Sequence, residues 1–251
     1  MISGASFLTG DLFAEWNIPD NVSFEQYREW IPVESLERYA WSWGTVAFDA
    51  NADGWMDIAF TQNNGTAPLD IIASEEQGAG MGAFLLSTNS LTFYDLTQEA
   101  GIANTDETGA FLDGRGLATG DLNNDGYPDL VFANRSYTPS LSDPLAQTPG
   151  VAKVWLSEPR SGGWLKVTLQ GNGHTSPRDA LGAKVWIDHE ESQRIYGYGM
   201  GGETCSSSEH TLSIGLGDWS EVSVRVRFPS GREVLRSNVT ANQHIEIVEP
   251  E

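Results

Sequence analysis

The chain has a single cysteine, Cys205, in 251 residues. No disulfide can form within it, and redox chemistry gives no clue to its compartment. No apolar run approaches the ~18 residues that a membrane-crossing helix needs. Basic residues are scarce: 14 Lys and Arg stand against 35 Asp and Glu, a formal charge of −21. That balance argues against nucleic-acid backbones and anionic membrane surfaces as partners, and membrane insertion is not expected. His174, His189, His210 and His244 show no zinc spacing. There is no G-x-S-x-G elbow, and Gly78-Ala-Gly80-Met-Gly82 lacks the lysine and following helix of a phosphate loop. The acids Glu75-Glu76 and Glu190-Glu191 are adjacent pairs, which in a strand would face opposite sides, so neither makes an acid/base couple by itself. Met1-Ile-Ser-Gly has neither the basic nor the apolar region of a signal peptide. The expectation is a protein without enzyme activity.

What is present is a nine-residue pattern that occurs twice. Asp49-Ala-Asn51-Ala-Asp53-Gly54-Trp55-Met56-Asp57 and Asp121-Leu-Asn123-Asn-Asp125-Gly126-Tyr127-Pro128-Asp129 both read D-x-N-x-D-G-x-x-D. Four oxygen-bearing side chains alternate around one glycine that permits a sharp turn, a donor set suited to a hard cation such as calcium. The alternative is a metal-free Asp/Asn/Gly hairpin turn. An EF-hand is excluded because its position 12 needs a bidentate Glu between two helices, and Phe60 and Phe132 stand there between strand-like runs. Asp57 and Asp129 then supply the closing carboxylate.

The two loops lie 72 residues apart, and each is flanked by short β-forming segments. Strands are expected near 45–48, 57–61, 83–88 and 92–96, a unit of blade size, with a second unit starting near 116–120 and 129–133 and running through 151–156. Asp11-Leu12-Phe-Ala-Glu15-Trp-Asn-Ile18 matches Asp95-Leu96-Thr-Gln-Glu99-Ala-Gly-Ile102 in frame, so the chain is expected to begin in the tail of an earlier unit. Ser23-Phe-Glu-Gln26 resembles a capping box opening a short helix. Two blades and a tail cannot close a ring, which leaves a β edge needing missing blades or a partner to cover it. From Trp164 a second all-β unit begins, with strands near 164–169, 183–187, 193–196, 210–214, 222–228 and 244–248. Val222, Val224, Val226 and Phe228 alternate with polar residues, the signature of a strand with one wet face. The division expected is 1–160 for the repeats and 161–251 for the second unit.

The Asp loops, with Phe93-Tyr-Asp95-Leu-Thr97-Gln-Glu99-Ala-Gly101-Ile102, resemble the FG-GAP/VCBS repeats of integrin-like β-propellers. Arg178-Asp-Ala-Leu-Gly182-Ala-Lys-Val185, Ile214-Gly-Leu-Gly217, Phe228-Pro-Ser-Gly231 and Asn242-Gln243-His-Ile245 resemble the ASPIC/UnbV domain of cartilage acidic protein-like chains. The segment Gly199 to Ser207 departs from that domain's usual Gly/Ser/Tyr-rich stretch. The resemblance implies an all-β fold, with a partial propeller-like array of four-stranded blades followed by a small sandwich-like domain. It implies two calcium sites, one on Asp49, Asn51, Asp53 and Asp57 and one on Asp121, Asn123, Asp125 and Asp129. Trp55 and Tyr127 would each add a backbone carbonyl. It further implies a secreted or cell-surface acidic protein for recognition or adhesion, with a protein or glycan ligand. The alternative is a carbohydrate-binding or polysaccharide-processing component whose active blades lie outside this chain.

Overall fold

The structure, a computed structural model, describes residues 41–63, 83–89, 92–97, 100–107, 112–136, 149–199 and 206–251. The matched tail at 11–18 and the capping box at 23–26 lie outside them, as does the Gly78–Gly82 turn. The described residues contain fourteen strands and no helix. β1 (Trp41–Phe48), β2 (Asp57–Asn63), β3 (Ala83–Asn89) and β4 (Thr92–Asp95) form an antiparallel four-stranded meander. β5 (Asp113–Gly120), β6 (Asp129–Arg135) and β7 (Ala152–Trp155) form a three-stranded sheet of the same kind.

The 72-residue spacing proves to be a repeat of pairing as well as of sequence. Trp41 pairs with Asn63 and Phe48 with Asp57 in the first sheet; Asp113 pairs with Arg135 and Gly120 with Asp129 in the second. Both pairings carry an irregularity at the same place, between Ser42 and Thr45 and between Gly114 and Gly116. A bulge re-aims the strand and pins its register, so its repetition marks one supersecondary unit used twice.

The two sheets pack face to face. Val46, Phe48 and Ala59 of the first meet Ile102, Leu117, Leu130 and Phe132 around one core, with the Trp155 ring edge-on to Phe132 at 4.4 Å between centroids. β1 approaches β5 so closely that a Cβ on Gly44 would sit 2.6 Å from the Leu117 nitrogen. A residue other than glycine cannot stand there without parting the backbones. The two blades thus cover one another's faces in part. Val151, Val154 and Leu156 of the β7 segment stay exposed.

The remaining strands make a sandwich. β8 (Gly163–Gln170), β11 (Leu212–Gly217) and β14 (Gln243–Val248) form one sheet in the order β11-β8-β14, with β8 and β14 parallel. β9 (Lys184–His189), β10 (Ser192–Gly197), β12 (Glu221–Arg227) and β13 (Glu233–Thr240) form the other in the order β10-β9-β12-β13. Leu165, Val167, Ile214 and Ile247 from the first meet Val185, Ile187, Val222, Val224 and Val226 from the second. The chain end is pinned by Glu249, whose carboxylate accepts hydrogen bonds from the Ser176 hydroxyl, the Ser230 hydroxyl and the Asn172 backbone nitrogen.

Truncating Phe132 to alanine removes a fully buried ring from the junction of the two blades. A loss of about 3–5 kcal/mol is expected, read as a fall in the urea midpoint. Burial alone would push the Glu249 carboxyl up, but the hydrogen bonds from Ser230, Asn172 and Ser176 and the charge of Arg232 leave it below the ordinary carboxylate value. Its contribution to stability is therefore present above the unfolded-state carboxylate range and is lost as pH falls through the lowered value. Glu249→Gln should flatten the acid limb of a pH-stability profile, which thermal melts between pH 3 and 6, roughly the carboxylate range, will show.

Candidate metal loops at the junction of blades and sandwich

Each D-x-N-x-D-G-x-x-D segment is the turn between the first two strands of its sheet. The first joins β1 to β2 and the second joins β5 to β6. Six hydrogen bonds recur, position for position. Asp49 accepts from the backbone nitrogens of Asp53 at 3.1 Å and Gly54 at 2.7 Å; Asp121 accepts from those of Asp125 at 3.0 Å and Gly126 at 2.9 Å. Asn51 and Asn123 each accept from the backbone nitrogen of the next acidic position and donate their amide to its carboxylate. Asp53 and Asp125 accept from the nitrogens of Trp55 and Tyr127. Asp57 and Asp129 reach back to accept from Ala50 and Leu122, both at 2.8 Å.

These bonds explain the composition. The backbone enters the left-handed region at Ala52 and Asn124, with φ of 57° and 60°, and again at Gly54 and Gly126, with φ of 91° and 95°. A carboxylate at the first position is the acceptor that a turn of orphaned N–H groups requires. Asp57 and Asp129 are completely buried, and Asp49 and Asp121 nearly so.

Around this shared frame the two copies differ. Tyr127 is buried, and its hydroxyl donates to the carbonyls of Arg160 and Gly162, whereas Trp55 at the same position is 40% exposed. Asp121 has a direct cation: the Lys166 ammonium of β8 lies 3.0 Å from its carboxylate and 3.6 Å from that of Glu209. Among the described residues Asp49 has none so close. Burial, and then the charge of Asp53, push its carboxyl up to about 7, against the hydrogen bonds from Gly54 and Asp53 and the charge of Arg194.

Both loops lie against the sandwich. A Cβ on Gly54 would run into the Arg194 guanidinium, and one on Gly126 into the Trp164 ring. The backbone nitrogen of Gly217 donates to the Ala52 carbonyl at 2.9 Å. Next to the second loop, Ser206 and Ser208 accept hydrogen bonds from the backbone nitrogens of Leu117 and Thr119. Glu209 accepts from that of Asp121 and donates its own to the Thr119 carbonyl. The divergent stretch near Cys205 thus leads into a segment that satisfies the edge of β5 with side chains. Arg194 itself stacks on Trp219 at 3.9 Å, and His189 stacks on the same indole.

Every predicted metal residue is placed in these two loops, and none is brought from elsewhere. The donor set is all oxygen, as calcium prefers. The carboxylates, however, are engaged with the loop's own N–H groups, and among the described residues no three His, Cys, Asp or Glu side chains converge as a metal-holding group. Lys166, Glu209, Arg194, Ser206 and Ser208 went unrecognised in the sequence. None carried a signal of its own: Lys166 alternates with Thr168 and Gln170 as any polar residue of a half-buried strand would, and only its burial sets it apart.

The FG-GAP repeat family matches residues 114–147, which include the second loop, and the ASPIC and UnbV family matches residues 173–251. The chain thus carries an FG-GAP repeat followed by a C-terminal ASPIC/UnbV domain. β8 lies before the second match yet forms the middle of a sandwich sheet. No curated protein matches the chain. A solved structure, that of a putative cell adhesion protein from Bacteroides uniformis, is similar over 82% of this chain and 93% of its own at 10% identity, with a TM-score of 0.20. Two such domains fit extracellular recognition or adhesion as a general class. No helix among the described residues is long and apolar enough to cross a membrane.

Lys166→Met strands the buried Asp121 carboxylate, and a loss of about 3–5 kcal/mol is expected in chemical denaturation. Adding Asp121→Asn should restore part of it, and the double-mutant cycle measures the coupling.

Proposed function

We propose that the chain is a non-enzymatic, calcium-stabilised recognition module that works outside the cell or at its surface. The observation that carries the reading is the repetition of one loop frame. Two segments 72 residues apart hold a buried first aspartate, an asparagine, a second aspartate and a buried closing aspartate around the same left-handed turn. A single turn of this composition is common in hairpins, but two copies with the same residue type at all five defining positions favour an ion in addition to the loop's own hydrogen bonds.

Asp49, Asn51, Asp53 and Asp57 would hold one ion and Asp121, Asn123, Asp125 and Asp129 the other, with backbone carbonyls of Trp55 and Tyr127 completing each set. Calcium bound there offsets the mutual repulsion of carboxylates held within one turn. It ties the start of each loop to its end, and so ties the first strand of a sheet to the second. Because the same loops carry the sandwich on their outer side, metal binding also supports the joint between the two units. Adhesion is the family-level role, and a protein or glycan is the kind of ligand such a module takes.

Thermal unfolding with excess chelator and with millimolar calcium tests the reading. Saturation to 100 times the dissociation constant stabilises by about 2.7 kcal/mol per site, a rise in Tm on the order of 5 °C or more. Replacing both Asp57 and Asp129 by asparagine should abolish that rise. Coincident melts with and without calcium in the unsubstituted chain refute the metal.

A further inference from the structure

Eight of the fourteen basic residues lie between 163 and 251, and three of them share one sheet face. In the sheet β10-β9-β12-β13, Val185, Ile187, Val222, Val224 and Val226 point into the sandwich core. Alternation then turns Lys184, Trp186, Arg225 and Arg227 outward. Arg225 stands opposite Trp186 and Arg227 opposite Lys184. Ile195 flanks Trp186 on one side and Leu235 flanks Arg225 on the other, so one row crosses all four strands as Ile195, Trp186, Arg225, Leu235. Ile195 is 37% exposed and Leu235 58%, and the Arg225 guanidinium lies 4.3 Å over the Trp186 ring.

The next row places two exposed cations, Lys184 and Arg227, directly opposite each other. Like charges so placed destabilise a sheet. Among the described residues no ion pair relieves Lys184, Arg225 or Arg227. Glu233 is the one acid paired alongside them, opposite Arg227, while Asp188 and Glu221 lie toward the other end of the face. Alternation requires only that these positions be polar. In a chain of charge −21, it does not account for their shared sign.

We infer that this outer face, centred on the Arg225–Trp186 stack with Lys184 and Arg227 beside it, is a docking surface for an acidic polysaccharide. The inference rests on the recognition role proposed above and supplies its partner class, but it uses none of the calcium-loop residues. β9 and β12 are interior strands, hydrogen-bonded on both edges, so a peptide backbone cannot add to the centre of this face as a further strand. The face offers side chains only. Its apolar row takes the faces of sugar rings. The stacked guanidinium keeps its edge free for bidentate contact with a carboxylate or sulfate. The cations lie about 5 Å apart across strands and about 7 Å apart along one, so they meet anions on successive sugar units.

Binding of the full chain to immobilised dextran sulfate, with uncharged dextran and polyglutamate alongside and 1 mM or so of calcium throughout, tests it. The chain should bind dextran sulfate and not dextran, with affinity falling as salt rises. Arg225→Ala with Arg227→Ala should weaken binding about tenfold or more, and so should Lys184→Ala with Arg227→Ala, each variant still melting in one cooperative transition. Trp186→Ala should weaken it as well, and the two cation pairs decide the question if that variant fails to fold. No binding, equal binding to uncharged dextran, or binding unchanged in both cation variants overturns the proposal. Equal affinity for polyglutamate with the same losses overturns the sugar in favour of an acidic peptide. Melts that do not respond to calcium, with dextran sulfate binding intact, refute the metal reading alone.

Discussion

Asp49 and Asp121 each collect two backbone N–H groups at the tip of a loop, and Asp57 and Asp129 collect the one at its entry. A tight turn that passes twice through the left-handed region points its amides at one another's space, where no strand can pair them. Carboxylates are short, strong acceptors and meet that need, but only by bringing negative charge into buried positions. The rest of the junction follows from that exchange. β1 and β2, and likewise β5 and β6, enter and leave the loops in fixed register, and the sandwich supplies the groups that cover them.

The two copies meet the cost of buried charge differently. Beside Asp121 the sandwich places Lys166, itself held by Glu209. Beside Asp49 it places Gly215 and Gly217, whose bare backbone lets the loop lie flush, with Arg194 resting on Gly54. Identical sequence patterns therefore sit in unlike electrostatic settings. The glycine of each loop is constrained twice over, by its positive φ and by the side chain that rests on it. This dual use makes the loops the joint of the molecule, where turn hydrogen bonding and unit docking share the same atoms.

Much of this was legible in the sequence because its causes are local. Two-residue alternation located β12 near its true bounds, since a half-buried strand must alternate. The D-x-N-x-D-G-x-x-D spacing located both loops, since each of its six hydrogen bonds joins residues no more than seven apart. The first strand begins at Trp41, four residues before the expected start, because Gly44 and its bulge interrupt the pattern that alternation relies on. The segment 206–209 offered no pattern of its own. It is ordered by the N–H edge of β5, some ninety residues earlier in the chain.

The sequence by itself determined the repeat, the all-β class and the acidic oxygen set of each loop, because turn chemistry and alternation act over a few residues. Only the tertiary structure decided that Lys166 pairs with Asp121 while, among the described residues, no cation pairs as closely with Asp49. It alone set Arg194 and Trp164 over the two glycines, and gathered Lys184, Arg225 and Arg227 onto one face. Those placements depend on which strands become neighbours and in what register, and no short-range pattern encodes a contact between residues 38 to 140 positions apart.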